Sequence, residues 1–248
     1  MTLRYWDEIG LFAPAMRNPE SGYRYYSPQQ VTTINFVKVM GKLDIPLKRI
    51  NDAVHCMNCE NIIDLIEEQE RLFDAQMHKL RESYSIIHTR RALIKAGLKA
   101  DVGKISVKRM TEKAIILGPK NDFTGEAFYE PFMHFCNSAE ELRINLGYPI
   151  GAYHGTMKSY LDNPSQPEHF FSLDPTGNTK WTAGKYLEGY ARGYYGEFGD
   201  LPERMTAYAE EHALSFTGPV YAVYLLDEIC ISDPSQYLVQ VSAAVSSK

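Results

Sequence analysis

Residues 2–12 read TLRYWDEIGLF and residues 21–27 read SGYRYYS. The first stretch has a helical pattern that stops at Gly10, a residue suited to ending a helix. A helix is therefore already under way where the sequence opens. Residues 15–27, AMRNPESGYRYYS, set Pro, Gly, Asn and Ser among alternating aromatic and basic side chains. That mixture predicts a short β-ribbon with its turn at Asn18–Gly22. Ser27-Pro28 then opens a second helix, since Ser caps and Pro fits the first turn. It runs to about Leu43, with Ile34, Val37 and Met40 on one face, and Pro46 starts a further short helix ending near His55.

The strongest helical signal follows. From Asn61 to about Gly97 no Pro or Gly interrupts the chain. Ile66, Phe73, Leu80, Ile87 and Ile94 recur every seven residues, accompanied by Ile63, Glu70, Met77, Tyr84, Arg91 and Leu98. Gln69, Gln76, His78, Arg81 and Arg90 fall on other faces. This is a coiled-coil stripe on a helix roughly 55 Å long. It needs a partner helix, most simply from a second subunit, so residues 61–97 are expected to form a homodimer.

Gly97–Gly103 reads as a linker. Beyond it ISVKRM, KAIILG, IGAYHG, HFFSL, GKYLEGYARG, PVYAVYLLDEI and QYLVQVSAAV read as strands. Residues 125–146 and LPERMTAYAEEHAL read as helices. The order ββαβββαββ predicts an α+β domain with an antiparallel sheet and helices on one side. The domain expectation is 1–58, 59–99 and 104–248: a mostly α region with a long coiled-coil helix, then the α+β domain.

Charge is divided unevenly along the 248 residues. The chain carries −5 in total, yet residues 1–50 hold seven Lys/Arg against four acids, +3, leaving −8 for the rest. A basic N-terminal segment on an acidic body fits a nucleic-acid reader joined to something else. No apolar run is long enough to span a membrane and no apolar leader precedes Arg4, so a cytoplasmic location is expected. The four cysteines, Cys56, Cys59, Cys136 and Cys230, read as free thiols. HCMNC at 55–59 offers Cys-x-x-Cys beside a His, but two thiols without a second pair do not make a zinc site, so no metal and no cofactor are expected.

The pattern T-hydrophobic-R-Y-aromatic-D-x-x-G-L at 2–11, followed by G-Y-R-x-Y at 22–26 and then by the helices above, resembles the MerR family of transcription regulators. The resemblance implies a winged helix-turn-helix on promoter DNA, with Met1 falling inside the recognition helix and the preceding helix absent. A late start or a cut chain would explain that, as would a natural short form with weak DNA binding. Matched residue by residue, Thr2, Arg4 and Tyr5 lie on the recognition helix. Tyr23, Arg24 and Tyr25 lie in the wing with Arg17 ahead of them, and Lys38 and Lys42 lie on the following helix. These nine are the expected DNA contacts, positioning the protein mainly through phosphates. RNA polymerase would be engaged indirectly, through distortion of the DNA.

AGKYLEGYARGYY, GPVYAVYLLDE and DPSQYL resemble the GyrI-like effector-binding domain, over roughly residues 104–245. Twelve of the seventeen tyrosines lie beyond residue 100, which suits an aromatic pocket for flat or cationic organic molecules. The expected effector contacts are Tyr153, Trp181, Tyr186, Glu188, Tyr190, Tyr194, Tyr224, Glu228 and Tyr237. The family often places a glutamate after the Val-Tyr of the GPVY strand, where this chain has Ala222. Either Glu188 or Glu228 supplies that charge from nearby, or the pocket prefers neutral aromatics, or Ala222 is an engineered change. Ala222 also removes the base that GyrI-like hydrolases use, so no catalytic residue is expected. The competing reading is a drug-binding module with little DNA binding.

Overall fold

The computed structural model describes residues 3–55, 59–123 and 129–247. It divides into two compact units, residues 1–79 and 80–248.

In the first unit, α1 (Leu3–Glu8) ends at Gly10, whose φ of +73° is the left-handed conformation expected of a helix-terminating glycine. Strands β1 (Met16–Arg17) and β2 (Arg24–Tyr25) form the antiparallel ribbon. The Asn18 side chain shapes its turn by accepting the Glu20 and Ser21 N–H groups at 2.8 and 2.9 Å. Helix α2 (Pro28–Lys42) starts where Ser27 N–H donates to Gln30 Oε1, and α3 (Leu47–His55) follows. Trp6, Leu11, Phe12, Ile34, Val37, Ile45, Ile50 and Leu65 form one buried core. Leu65 comes from α4 (Cys59–Gly97), a 39-residue helix.

Asp7 fastens α1 to the ribbon. Its side chain is 3% exposed and receives Arg24 Nε at 2.7 Å and an Arg17 Nη at 2.5 Å. The bond from Arg24, with Arg17 behind it, holds the Asp7 carboxyl below the usual carboxylate range despite burial.

The second unit is built on an eight-stranded sheet in the order β3-β8-β10-β9-β5-β6-β4-β7, antiparallel at every pairing. Its strands are β3 (Ser106–Met110), β4 (Lys113–Lys120), β5 (Ile150–His154), β6 (His169–Ser172), β7 (Thr179–Trp181), β8 (Gly184–Arg192), β9 (Leu214–Leu226) and β10 (Leu238–Ser247). The helices are α5 (Tyr129–Asn137), α6 (Met157–Asp162) and α7 (Leu201–Glu211). The succession β4-α5-β5-β6 is repeated as β8-α7-β9-β10, and in each half the last strand lies between the first two. The halves meet where β5 pairs with β9 and Ala152 stands opposite Ala222.

Side chains alternate across the sheet. On the front face α7 packs through Leu201, Met205 and Ala209 on Leu187, Val220, Val241 and Ala243. On the same face α5 packs through Phe135 on Phe170 and Ile116. The back face carries Ile115, Phe171, Trp181, Tyr186, Tyr221 and Val223, against which Leu93 of α4 is packed. Gly97 ends α4 hard against the sheet: a Cβ there would lie 2.7 Å from Leu226 Cγ.

Three sequence expectations change. The helix expected over 125–146 is described only as Tyr129–Asn137, because the chain turns afterwards and Arg143 takes φ +54°. Helix α6, to which the sequence pattern assigns no element, is launched by Thr156, whose side chain accepts Ser159 N–H at 3.1 Å. Strand β7 was not anticipated; it is three residues long.

The Asp7 clasp predicts a pH signature. A carboxyl whose folded pKa is depressed contributes stability that is present above its unfolded value and lost as pH falls through the folded one. Asp7→Asn should lower the urea midpoint of the first unit at neutral pH. It should also flatten the midpoint's fall below about pH 4. Trp6 fluorescence in a Trp181→Phe background reads this; an unchanged midpoint would sink the clasp.

Candidate functional site

In the first unit the expected DNA contacts gather on α1, the ribbon and α2. Arg4, Tyr5, Arg17, Tyr23, Tyr25, Lys38 and Lys42 are exposed, with Tyr23 at 70%, and Arg24 is half-buried. Arg4 pairs with Glu8 at 2.9 Å, while Arg17 and Arg24 each spend one N–H on Asp7. Two of the basic candidates therefore hold the ribbon as well as face outward. Thr2 lies outside the described residues. Trp6 and Tyr26 belong to the small core or pack against it.

In the second unit a cavity of about 210 Å³ opens on the front face between the two halves of the sheet. Its floor is Gly151, Ala152, Ala222, Tyr224 and Phe170; Phe132 of α5 stands on one side and the Tyr194–Phe198 turn on the other. The two facing alanines, Ala152 and Ala222, keep the floor low there, while α6 packs on β5 and β9 beside it through Met157 and Tyr160. The volume admits an aromatic body rather than a single water.

The hydroxyls of Tyr224 and Tyr195 already have partners. Tyr224 OH donates to the Tyr194 carbonyl at 2.8 Å and accepts Gly196 N–H at 3.0 Å. Tyr195 OH donates to Glu228, and burial beside that carboxylate pushes its pKa up. What these residues offer a guest is mainly ring faces. Behind Phe198 lie Tyr160 and His154, ring to ring at 5.4 and 5.2 Å. Burial pulls the His154 pKa down to about 4, so its imidazole is neutral at physiological pH.

Charge in the cavity lining is confined to one end, where Arg90, Asp227 and Glu228 stand. Arg90 projects from α4 and binds Asp227 at 2.9 Å, the two side chains being 27% and 14% exposed.

The structure separates the expected effector residues. Tyr194, Tyr224 and Glu228 line this cavity, and Tyr237 stands behind it against the rings of Tyr194 and Tyr195. Tyr153, Trp181, Tyr186, Glu188 and Tyr190 do not line it. Their strand positions have the opposite parity, so they point to the back face. There Trp181 stacks on Tyr221 at 4.0 Å, and Tyr153 and Tyr186 pack around the pair. Glu188 is buried beneath Lys108, Tyr190 and Gln240, all three donating to its carboxylate. It therefore does not replace the charge missing at Ala222; Glu228 stands at the cavity's end instead. Arg90, Asp227, Phe132 and Phe170 were missed. From the sequence Arg90 is distinguished only as lying off the coiled-coil stripe.

Cys59 opens α4 and is exposed, while Cys56 lies outside the described residues. Among the described residues no group of three His, Cys, Asp or Glu is arranged to hold a metal, and no helix is long and apolar enough to cross a membrane.

Residues 1–55 match the family model described as MerR HTH family regulatory protein. The chain carries a MerR-family regulatory domain. Along 93% of its length it is 25% identical to the Multidrug-efflux transporter 2 regulator of Bacillus subtilis (strain 168), covering 85% of that protein. It is 28% identical to the Multidrug-efflux transporter 1 regulator of the same organism over 58% of this chain and 53% of that one. EcmrR, in a cryo-EM structure of its DNA complex, aligns over 99% of this chain and 94% of its own at 17% identity and TM-score 0.42. The front of the chain is thus similar to MerR-type regulatory domains, and the relatives matched over most of its length are regulators.

The split between the two faces predicts a split in mutant behaviour. Glu188→Gln leaves three donors around a weaker acceptor and should cost about 1–3 kcal/mol of stability. It should leave the affinity of the cavity for an aromatic cation unchanged. Chemical denaturation and fluorescence titration of the same variant check both halves; a large affinity loss at intact stability would move the site to the back face.

Proposed function

We propose that this MerR-type regulator binds promoter DNA as a homodimer and switches transcription when its front-face cavity takes up a small organic cation with an aromatic body. The proposed location is cytoplasmic. The observation that carries the effector reading is the cavity itself: an apolar, aromatic-lined space whose charged lining groups sit at one end, with two carboxylates against one guanidinium. Aromatic faces attract cations, and the acid excess at the end favours one. Tyr194, Tyr224 and Glu228 are the proposed contacts retained from the sequence, joined by Phe132, Phe170 and Asp227.

The dimer reading is supported by α4. Leu80, Tyr84 and Ile87 are 69%, 69% and 67% exposed, and Ile63, Phe73 and Met77 of the same stripe are exposed too. A coiled-coil seam with so much apolar surface uncovered calls for a second helix, and another copy of α4 supplies it. DNA binding is proposed through Arg4, Tyr5, Arg17, Tyr23, Arg24, Tyr25, Lys38 and Lys42, with Thr2 carried over from the family pattern. RNA polymerase is reached through the shape of the DNA rather than by direct contact.

Fluorescence anisotropy of DNA from upstream of the protein's own gene tests this, with and without N-methylacridinium. Binding should weaken steeply with salt, and Lys38→Ala and Lys42→Ala should each reduce the salt slope by about one. The cation should change transcription from that DNA in a purified polymerase assay. Cation binding without any DNA binding favours a drug-sequestering module; DNA binding insensitive to every aromatic cation removes the effector reading. A monomer at micromolar concentration removes the dimer.

A further inference from the structure

Asp227 stands at the charged end of the cavity, and its partner is a cation the protein itself supplies. Arg90 Nη1 meets Asp227 Oδ2 at 2.9 Å, and both residues line the cavity. Asp227 Oδ1 accepts Ile229 N–H at 3.2 Å, so the carboxylate is fixed on the chain just past β9. Arg90 sits on α4, two turns before Gly97 packs that helix against Leu226. The ion pair is therefore a tie between α4 and the end of β9, made in the lining of the binding space.

We propose that Arg90 is a built-in competitor for the effector's positive charge: a bound cation takes over Asp227 and releases α4 from that tie. The inference rests on the reading of the cavity as a cation site and adds how that site sets its threshold. A half-buried pair of opposite charges is neutral as a unit, so an entering cation meets only the remaining charge of Glu228 unless it displaces the guanidinium. Displacement is feasible because Arg90 is 27% exposed and its head can move to water, whereas Asp227, at 14%, is held by its backbone bond. A cation that binds thus exchanges one ion pair for another. Affinity reflects the difference between the two, and an uncharged molecule of the same shape leaves the tie in place. Ligand charge becomes information that α4 receives directly, because one of the two partners in the exchange belongs to it.

The test compares N-methylacridinium with uncharged acridine at mildly alkaline pH, binding each to the full-length protein, Arg90→Gln and Asp227→Asn. Arg90→Gln should bind N-methylacridinium at least about fivefold more tightly than wild type and acridine equally well. Asp227→Asn should lose the preference for the charged probe. In the wild-type protein, amide exchange over residues 84–94 should quicken with N-methylacridinium bound and not with acridine. A merely structural role for Arg90 predicts weaker binding of both probes, which would overturn the proposal. So would an equal gain for both probes, which would make Arg90 a steric plug, or unchanged amide exchange. If wild type binds the cation and Arg90→Gln gains nothing, the competitor fails and the cation site stands. If neither protein nor variant binds either probe, the cavity reading falls and the competitor with it.

Discussion

The pairing of β5 with β9 is the constraint on which the C-terminal unit is built. It joins two βαββ halves into one sheet, and it puts Ala152 directly opposite Ala222 at the line where they meet. Each half brings one helix, α5 or α7, to the front face, and α6 packs on β5 and β9 through Met157 and Tyr160. Small side chains along that line leave space rather than filling it. Gly151 is held to the same rule from behind: a Cβ there would lie 2.3 Å from Phe171 Cζ and 2.9 Å from the Ala222 carbonyl oxygen. The cavity is thus a consequence of joining two copies of one motif edge to edge, with the seam kept thin.

The two-residue period of the strands then decides which polar groups can act there. Glu188 lies on β8, separated from the seam strand β9 by β10, and faces backward, where its oxygens are taken by Lys108, Tyr190 and Gln240. Burying a carboxylate is costly unless it is bonded in this way. On the front face no carboxylate stands on the floor among the described residues. Charge is met at the end, through Asp227 and Glu228, where solvent still reaches. The Tyr224 hydroxyl is bonded to backbone and that of Tyr195 to Glu228, which fixes those rings. Selection by such a site depends on shape and charge more than on directed hydrogen bonds.

Much of the architecture was legible because its signals are local and periodic. TLRYWDEIG, the turn at Asn18–Gly22, Ser27-Pro28 and the unbroken heptads of α4 each specify an element from side chains a few residues apart. Helix α6 was missed because it is six residues long and its cap, Thr156 on Ser159, resembles a turn. The site was only half legible. Counting tyrosines located an aromatic domain, but a strand's parity says only which residues share a face, not which face holds the cavity. That depends on where α5 and α7 pack, a long-range fact. Arg90 was hidden for the same reason: on α4 it follows a polar face, and only the end of β9, 137 residues further on, gives it a partner.

Helix α4 takes part in both hydrophobic cores, giving Leu65 to the first unit and packing Leu93 and Ile94 against the second. Helices bend sharply where proline, glycine pairs or inserted groups break the hydrogen-bond ladder. Between Glu60 and Ala96 the sequence contains neither proline nor glycine. Coupling between distant sites requires an element with two arrangements that each site biases. Here the candidate arrangements differ at one end by a single ion pair, Arg90 with Asp227 made or broken. The remaining contacts of α4, Leu93, Ile94 and Gly97 on the sheet, lie beyond that pair toward the C-terminus.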